Sequence, residues 1–158
     1  MAEIQVAVES DLSPDVVLGA AVDFSERRLQ VWPGMDPAVY KVERRGEGCA
    51  LVVEGTDVLG GVWARELYEW PVDDGAVRAT VQESNTFMPG GTWELRATPT
   101  ADGSHVEIVW RREGRGLKGR VLTLGMRLVG RKRLTDSLEE TLRVLHEPGT
   151  AADMADAA

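Results

Sequence analysis

The chain has 158 residues, 43% of them hydrophobic, one cysteine (Cys49) and a formal net charge of −8. That length suits one domain with a sizeable core. The acidic balance argues against general nucleic-acid binding, and the lone cysteine excludes an intrachain disulfide and a Cys-based zinc site.

The N-terminal MAEIQVAVES lacks an apolar run of signal-peptide length, and no stretch is long enough to span a bilayer. A cytoplasmic protein without an integral membrane segment is expected. Glu3 to Ser10 alternates, with Ile4, Val6 and Val8 on one side, as a half-buried strand does. Ser13-Pro14-Asp15 then opens a helix: Ser as cap, Pro in the first position, Asp at the positive end of the dipole. A second short helix starts at Ser25-Glu26 and stops at Trp32-Pro33-Gly34.

Six strands follow, at 39–45, 49–58, 62–70, 76–83, 92–98 and 104–112, joined by short turns such as Asp73-Asp74-Gly75 and Ala101-Asp102-Gly103. Short links between consecutive strands mean an antiparallel sheet. Gly116 to Glu147 reads as one long helix, ended by Pro148-Gly149. Leu117, Val121, Leu124, Leu128, Leu138, Leu142 and Leu145 recur at three- and four-residue steps as one apolar stripe. Residues 148–158 are small and acidic and read as a disordered tail.

The order strand, two short helices, six strands, long helix resembles the START-like, or SRPBCC, superfamily, and in particular its polyketide cyclase/dehydrase branch. The resemblance covers Glu3 to Leu145. Its carriers are Ser13-Pro14-Asp15-Val16-Val17 after the first strand, Trp32-Pro33, the strand Gly91-Thr92-Trp93-Glu94-Leu95, the turn Asp102-Gly103-Ser104 and the Leu-rich close Leu134 to Leu145. It implies an α+β helix-grip fold: a seven-stranded curved antiparallel sheet wrapped around the C-terminal helix, with two short helices between strands 1 and 2. Residues 1–147 would form one START-like ligand-binding domain. A scaffold that hosts carriers, sensors and enzymes does not itself specify the ligand.

Strand alternation gives the expected cavity lining. Trp93, Leu95 and Ala97 face inward on one strand, Val106, Ile108 and Trp110 on another, and Val77, Ala79, Val81 and Glu83 on a third. For 62–70 the patterns on the two faces compete. Pairing through the Asp73-Asp74-Gly75 hairpin favours Trp63, Arg65, Leu67 and Glu69 as the inner set, and the resembled cyclases carry polar pocket residues on the matching side. Those cyclases place an arginine two residues before a strand-ending Pro; here that position is Glu69, before Pro71. The expected ligand-binding set is therefore Trp63, Arg65, Leu67, Glu69, Val81, Glu83, Trp93, Leu95, Ile108 and Trp110, roofed by Leu124 and Leu128 from the helix. Arg65, Glu69 and Glu83 are the catalytic candidates.

Gly114-Arg115-Gly116-Leu117-Lys118-Gly119 matches GxGxxG, but no second parallel strand follows the helix, so a dinucleotide site is rejected. His105 and His146 have no second ligand at metal spacing. No metal or cofactor is expected. Lys118, Arg120, Arg127, Arg131, Lys132 and Arg133 make the first half of the long helix basic, which is read as a solvated face. The leading expectation is a module that holds a hydrophobic, aromatic or polycyclic small molecule between sheet and helix. A polyketide aromatase/cyclase-type enzyme, performing cyclisation and dehydration, and a lipid- or membrane-surface-binding module are the alternatives. An acidic carrier protein and a second copy of the chain are candidate partners.

Overall fold

A computed structural model describes residues 1–147; the expected tail at 148–158 lies outside the described residues. β1 (Ala2–Ser10) leads into α1 (Pro14–Val22) and the single-turn α2 (Arg28–Val31). The strands β2 (Lys41–Gly46), β3 (Cys49–Thr56), β4 (Val62–Glu69), β5 (Ala76–Ser84), β6 (Thr92–Thr100) and β7 (Gly103–Arg112) follow, then α3 (Gly116–Leu145). They form one seven-stranded sheet in the order β1-β7-β6-β5-β4-β3-β2, with every pairing antiparallel. The helix-grip architecture is as the sequence predicts, and most element ends fall within two residues of their expected positions.

The concave face of the sheet is set by register. Ala50, Tyr68, Ala79, Trp93, Trp110 and Ile4 form one continuous row across six strands. Side chains in such a row project to the same side, and α1 and α3 cover it. α3 lies chiefly along β1. Its C-terminal half anchors the core through Leu138, Leu142 and Leu145, all buried.

The N-terminal half of α3 corrects the expected stripe. Its sheet side carries small residues, Gly119, Thr123 and Gly130, with Leu122 and Met126 beside them. A Cβ on Gly130 would stand 2.4 Å from Ile4 Cδ1, so a larger residue fits there only if the tip of Ile4 shifts. Leu117, Val121, Leu124 and Leu128 point to solvent, 54–81% exposed. On an ideal wheel of about 100° per residue, the buried face rotates by roughly 80° from the first half to the second as the helix crosses a twisted sheet. A straight leucine stripe therefore passes from the solvent side to the sheet side. Leu124 and Leu128 do not roof the cavity; Leu122 and Met126 do.

Candidate functional site

β4 presents Val62, Ala64, Glu66 and Tyr68 to the concave side, all buried. This reverses the expected face. Trp63, Arg65, Leu67 and Glu69 lie on the convex side, where the Arg65 Nε donates to Glu43 Oε2 at 2.5 Å rather than meeting Glu83. The hairpin register explains the error. The inner set expected from the sequence needs Leu67 opposite Ala79, but Leu67 pairs with Thr80 and Tyr68 with Ala79, and a one-residue slip exchanges the two faces.

Glu83 also turns outward. Glu66 pairs with Val81 but Arg65 with Glu83, so β5 inserts an extra residue at Gln82. This bulge breaks the alternation after Val81 and brings Ser84 inward in place of Glu83. Ser84 Oγ donates to the Trp63 carbonyl at 2.6 Å and accepts the amides of Thr86 and Phe87. That turn delivers Phe87 to the cavity wall. Val81, Trp93, Leu95, Ile108 and Trp110 take the expected inward side.

Two chambers open between sheet and α3. One, of about 280 Å³, is lined by Val62, Ala64, Phe87, Trp110, Leu122 and Met126 among others. The other, of about 150 Å³, lies against Trp32, Tyr68, Trp93, Ile108 and Leu134. Both touch Glu54, Glu66 and Arg112, so a polar cluster stands between two apolar spaces.

Arg112 extends the inward series Val106, Ile108, Trp110 by one more step. Its guanidinium lies 5.0 Å from the Phe87 ring centroid and 5.8 Å from that of Trp110. Its Nη2 approaches Glu66 Oε1 at 2.5 Å as an ion pair. Among the described residues the buried Arg112 Nε has no hydrogen-bond acceptor. Burial raises the Glu66 carboxyl above its ordinary pKa, against the pull of Arg112. The pair thus offers a free donor beside a carboxyl inclined to hold its proton.

A second polar group stabilises the neighbouring wall. Arg28 is 3% exposed and donates from Nε to Glu54 Oε1 at 2.6 Å, from Nη2 to the Tyr68 hydroxyl at 3.1 Å and from Nη1 to the Ala21 carbonyl at 3.0 Å. Tyr68 in turn donates to Glu54 Oε2 at 2.7 Å. Burial opposes the charge on Arg28, but the Glu54 carboxylate together with Tyr68 and Tyr40 more than offsets this and raises its pKa. Burial, and then the Glu54 charge, pushes the Tyr68 phenol well above its usual range. These groups satisfy one another, so the Arg28 cluster is a brace, while the Glu66–Arg112 pair retains capacity for a ligand.

The sequence contained the signal for Arg112, which continues an inward alternation, but not for Glu54, because Ala50, Leu51, Val52 and Val53 make both faces of its strand apolar. Glu66 lay on the face judged convex. Arg28, in a four-residue helix, gave no periodic signal. Among the described residues no group of three or more His, Cys, Asp or Glu could hold a metal ion, and no helix is long and apolar enough to cross a membrane.

A family model described as polyketide cyclase / dehydrase and lipid transport matches residues 1–146. The chain belongs to this family. Among curated proteins, none matches it in sequence. Its fold is similar to that of the protein TTHA0849 from Thermus thermophilus, with a TM-score of 0.71, 16% identity and coverage of 99% of this chain and 98% of the other. A START superfamily protein from Mycobacterium smegmatis gives a TM-score of 0.66 at 14% identity, covering 90% and 93%. The Zhui aromatase/cyclase from Streptomyces sp. R1128 gives 0.64 at 14% identity, covering 99% and 93%. At these identities the likeness is one of fold, and the chemistry of this family member has to be argued from its own cavity.

Proposed function

We propose that this family member binds a hydrophobic small molecule, aromatic or polycyclic, that carries a hydroxyl or carbonyl oxygen. The observation that carries the reading is the buried Arg112 Nε, without a hydrogen-bond partner among the described residues, on a wall of Phe87, Trp110, Leu122 and Met126. An apolar pocket with a few fixed polar groups is how proteins orient such ligands. The ligand oxygen accepts from Arg112, and its rings lie against the aromatic wall. Titrating hydroxynaphthalenes into the protein and following tryptophan fluorescence tests this. Arg112→Met should weaken a binding hydroxynaphthalene by about tenfold or more relative to naphthalene itself. Equal affinities for the two probes, in both proteins, would refute the polar contact.

A second reading follows from the Glu66 carboxyl, whose pKa burial raises beside Arg112. A carboxyl of that kind can move a proton at a carbon next to a ketone, while the guanidinium holds the enolate oxygen. This would be cyclisation and dehydration of a poly-β-ketone chain. Turnover of a poly-β-ketone thioester that disappears in Glu66→Gln but leaves binding intact would establish the enzyme; binding without turnover in the wild type would leave a carrier.

A further inference from the structure

The exposed side of α3 is unlike an ordinary solvated face. Leu117, Val121, Leu124 and Leu128 are 81, 54, 58 and 78% exposed and follow one another at steps of four, three and four residues. They form a straight line about 16 Å long, directed away from the sheet. Cations flank the line on both sides: Arg120, Arg127 and Arg131 on one, Lys118 and Lys132 on the other, by helical spacing.

The charge distribution is as uneven as the apolarity. Residues 115 to 133 contain Arg115, Lys118, Arg120, Arg127, Arg131, Lys132 and Arg133 and no acid. Removing these seven positive charges from the net −8 leaves −15 on the rest of the chain. Arg115, Arg120, Arg131 and Arg133 have no ion pair among the described residues. Lys118 instead donates from Nζ to the Gly61 carbonyl at 2.5 Å, tying α3 to the turn that carries the exposed Val58 and Leu59 at the rim of the larger chamber.

We infer that the N-terminal half of α3 docks flat on an anionic lipid surface. The leucine line enters the acyl boundary, and the flanking Arg120 and Arg131 extend their stems to reach phosphates. A second copy meeting the same face would bring two sets of five flanking cations together, which is unfavourable. The face is also convex and its apolar line carries no polar group to set register with a protein, which favours a fluid surface. The inference stands apart from the cavity reading, since the docking face needs no bound ligand.

Flotation of the full ligand-free chain with phosphatidylcholine vesicles, with and without about 30% phosphatidylglycerol, provides the test. The chain should partition at least about tenfold better onto the anionic vesicles, and less so as salt rises. Leu124→Glu with Leu128→Glu should reduce that partition about tenfold or more. Arg120→Glu with Arg131→Glu is a second pair at exposed positions and should do the same. A wild-type chain that stays off anionic vesicles overturns the inference. So does partition that both folded double variants retain. A dimer in light scattering that is lost in Leu124→Glu/Leu128→Glu, without vesicle binding, would assign the face to a second copy instead.

Discussion

Arg112 and Glu66 meet at 2.5 Å although two whole strands, β6 and β5, separate β7 from β4 in the sheet. Strands lie about 4.8 Å apart, so three steps across a flat sheet span roughly 14 Å. Only a strongly curved sheet and the long arginine side chain close that gap. The ion pair is thus a chord across the concave face, and it divides the cavity into its two chambers.

Cutting that chord from one end should cost more than removing it. Arg112→Met leaves the Glu66 carboxylate buried without its cation, a situation that typically costs about 3–5 kcal/mol. Replacing both residues by apolar ones removes the uncompensated charge, so Arg112→Met with Glu66→Leu should be clearly less destabilised than the two single losses added together. Urea unfolding of the three variants measures the coupling. Additive losses would mean that the two side chains do not interact.

Glu66 also predicts a direction of pH dependence. Its folded pKa lies above the ordinary glutamate value of 4.5, chiefly through burial. Between pH 4.5 and that folded value the folded state therefore binds more proton at Glu66 than the unfolded chain does. The stability Glu66 contributes is fully present below pH 4.5 and is lost as pH rises through its folded pKa. The advantage of wild type over Glu66→Gln should accordingly shrink between pH 4.5 and that higher value. An advantage that grows over the same window would reverse the assignment.

Much of this site was legible, and the rest was hidden for specific reasons. Turn residues and alternation marked the seven strands, because they act locally. On β7 the same alternation leads from Trp110 to Arg112. On β4 both faces offered an aromatic ring and a charge, Trp63 with Arg65 against Tyr68 with Glu66, so local pattern could not choose between them. The deciding facts were a hairpin register and a bulge at Gln82, which are properties of two strands together. Along α3, regular leucine spacing concealed a buried face that rotates, and the smaller residues Gly119, Thr123 and Gly130 marked it.

The brace on the second wall should respond steeply to loss of its hydroxyl. Tyr68→Phe keeps the ring, which packs edge-on to Phe24 at 5.0 Å. It removes the group that accepts from Arg28 and donates to Glu54. Both partners are charged, so a loss of about 1.5–3 kcal/mol is expected in denaturant unfolding. A change under a few tenths would show that the hydroxyl is dispensable to the network.

His146 links the end of α3 to the β1–α1 turn. Its Nδ1 hydrogen-bonds the Leu142 carbonyl at 2.6 Å and its Nε2 meets the Asp11 carboxylate. The backbone bond to Leu142, and then Asp11, raises its pKa above 6.5. That favours the imidazolium, so the linked stability is present below pH 6.5 and fades as pH rises through the folded value. The contact is exposed and its effect should fall with added salt. In a proton NMR titration Asp11→Asn should lower the His146 pKa relative to wild type; an unchanged value would remove Asp11 from the interaction.

Three glycines on α3 should respond differently to the same substitution. Gly119 sits under the Phe87 turn, where a Cβ would be 2.2 Å from the Thr86 carbonyl oxygen and 2.9 Å from the Gly114 backbone. Backbone cannot step aside cheaply, so Gly119→Ala should destabilise by about 1–3 kcal/mol or more, as overpacking does. At Gly130 the nearest atoms are the tips of Ile4 and Met126, at 2.4 and 3.1 Å. Those ends can move, so Gly130→Ala should cost less than Gly119→Ala. Gly125 meets nothing within 4 Å. There alanine only improves helix propensity, and Gly125→Ala should stabilise by up to about 1 kcal/mol. The expected order of stability in urea is therefore Gly125→Ala, Gly130→Ala, Gly119→Ala. A Gly119→Ala protein as stable as Gly125→Ala would mean that α3 does not close on the sheet at its N-terminal end, and that the larger chamber is open there.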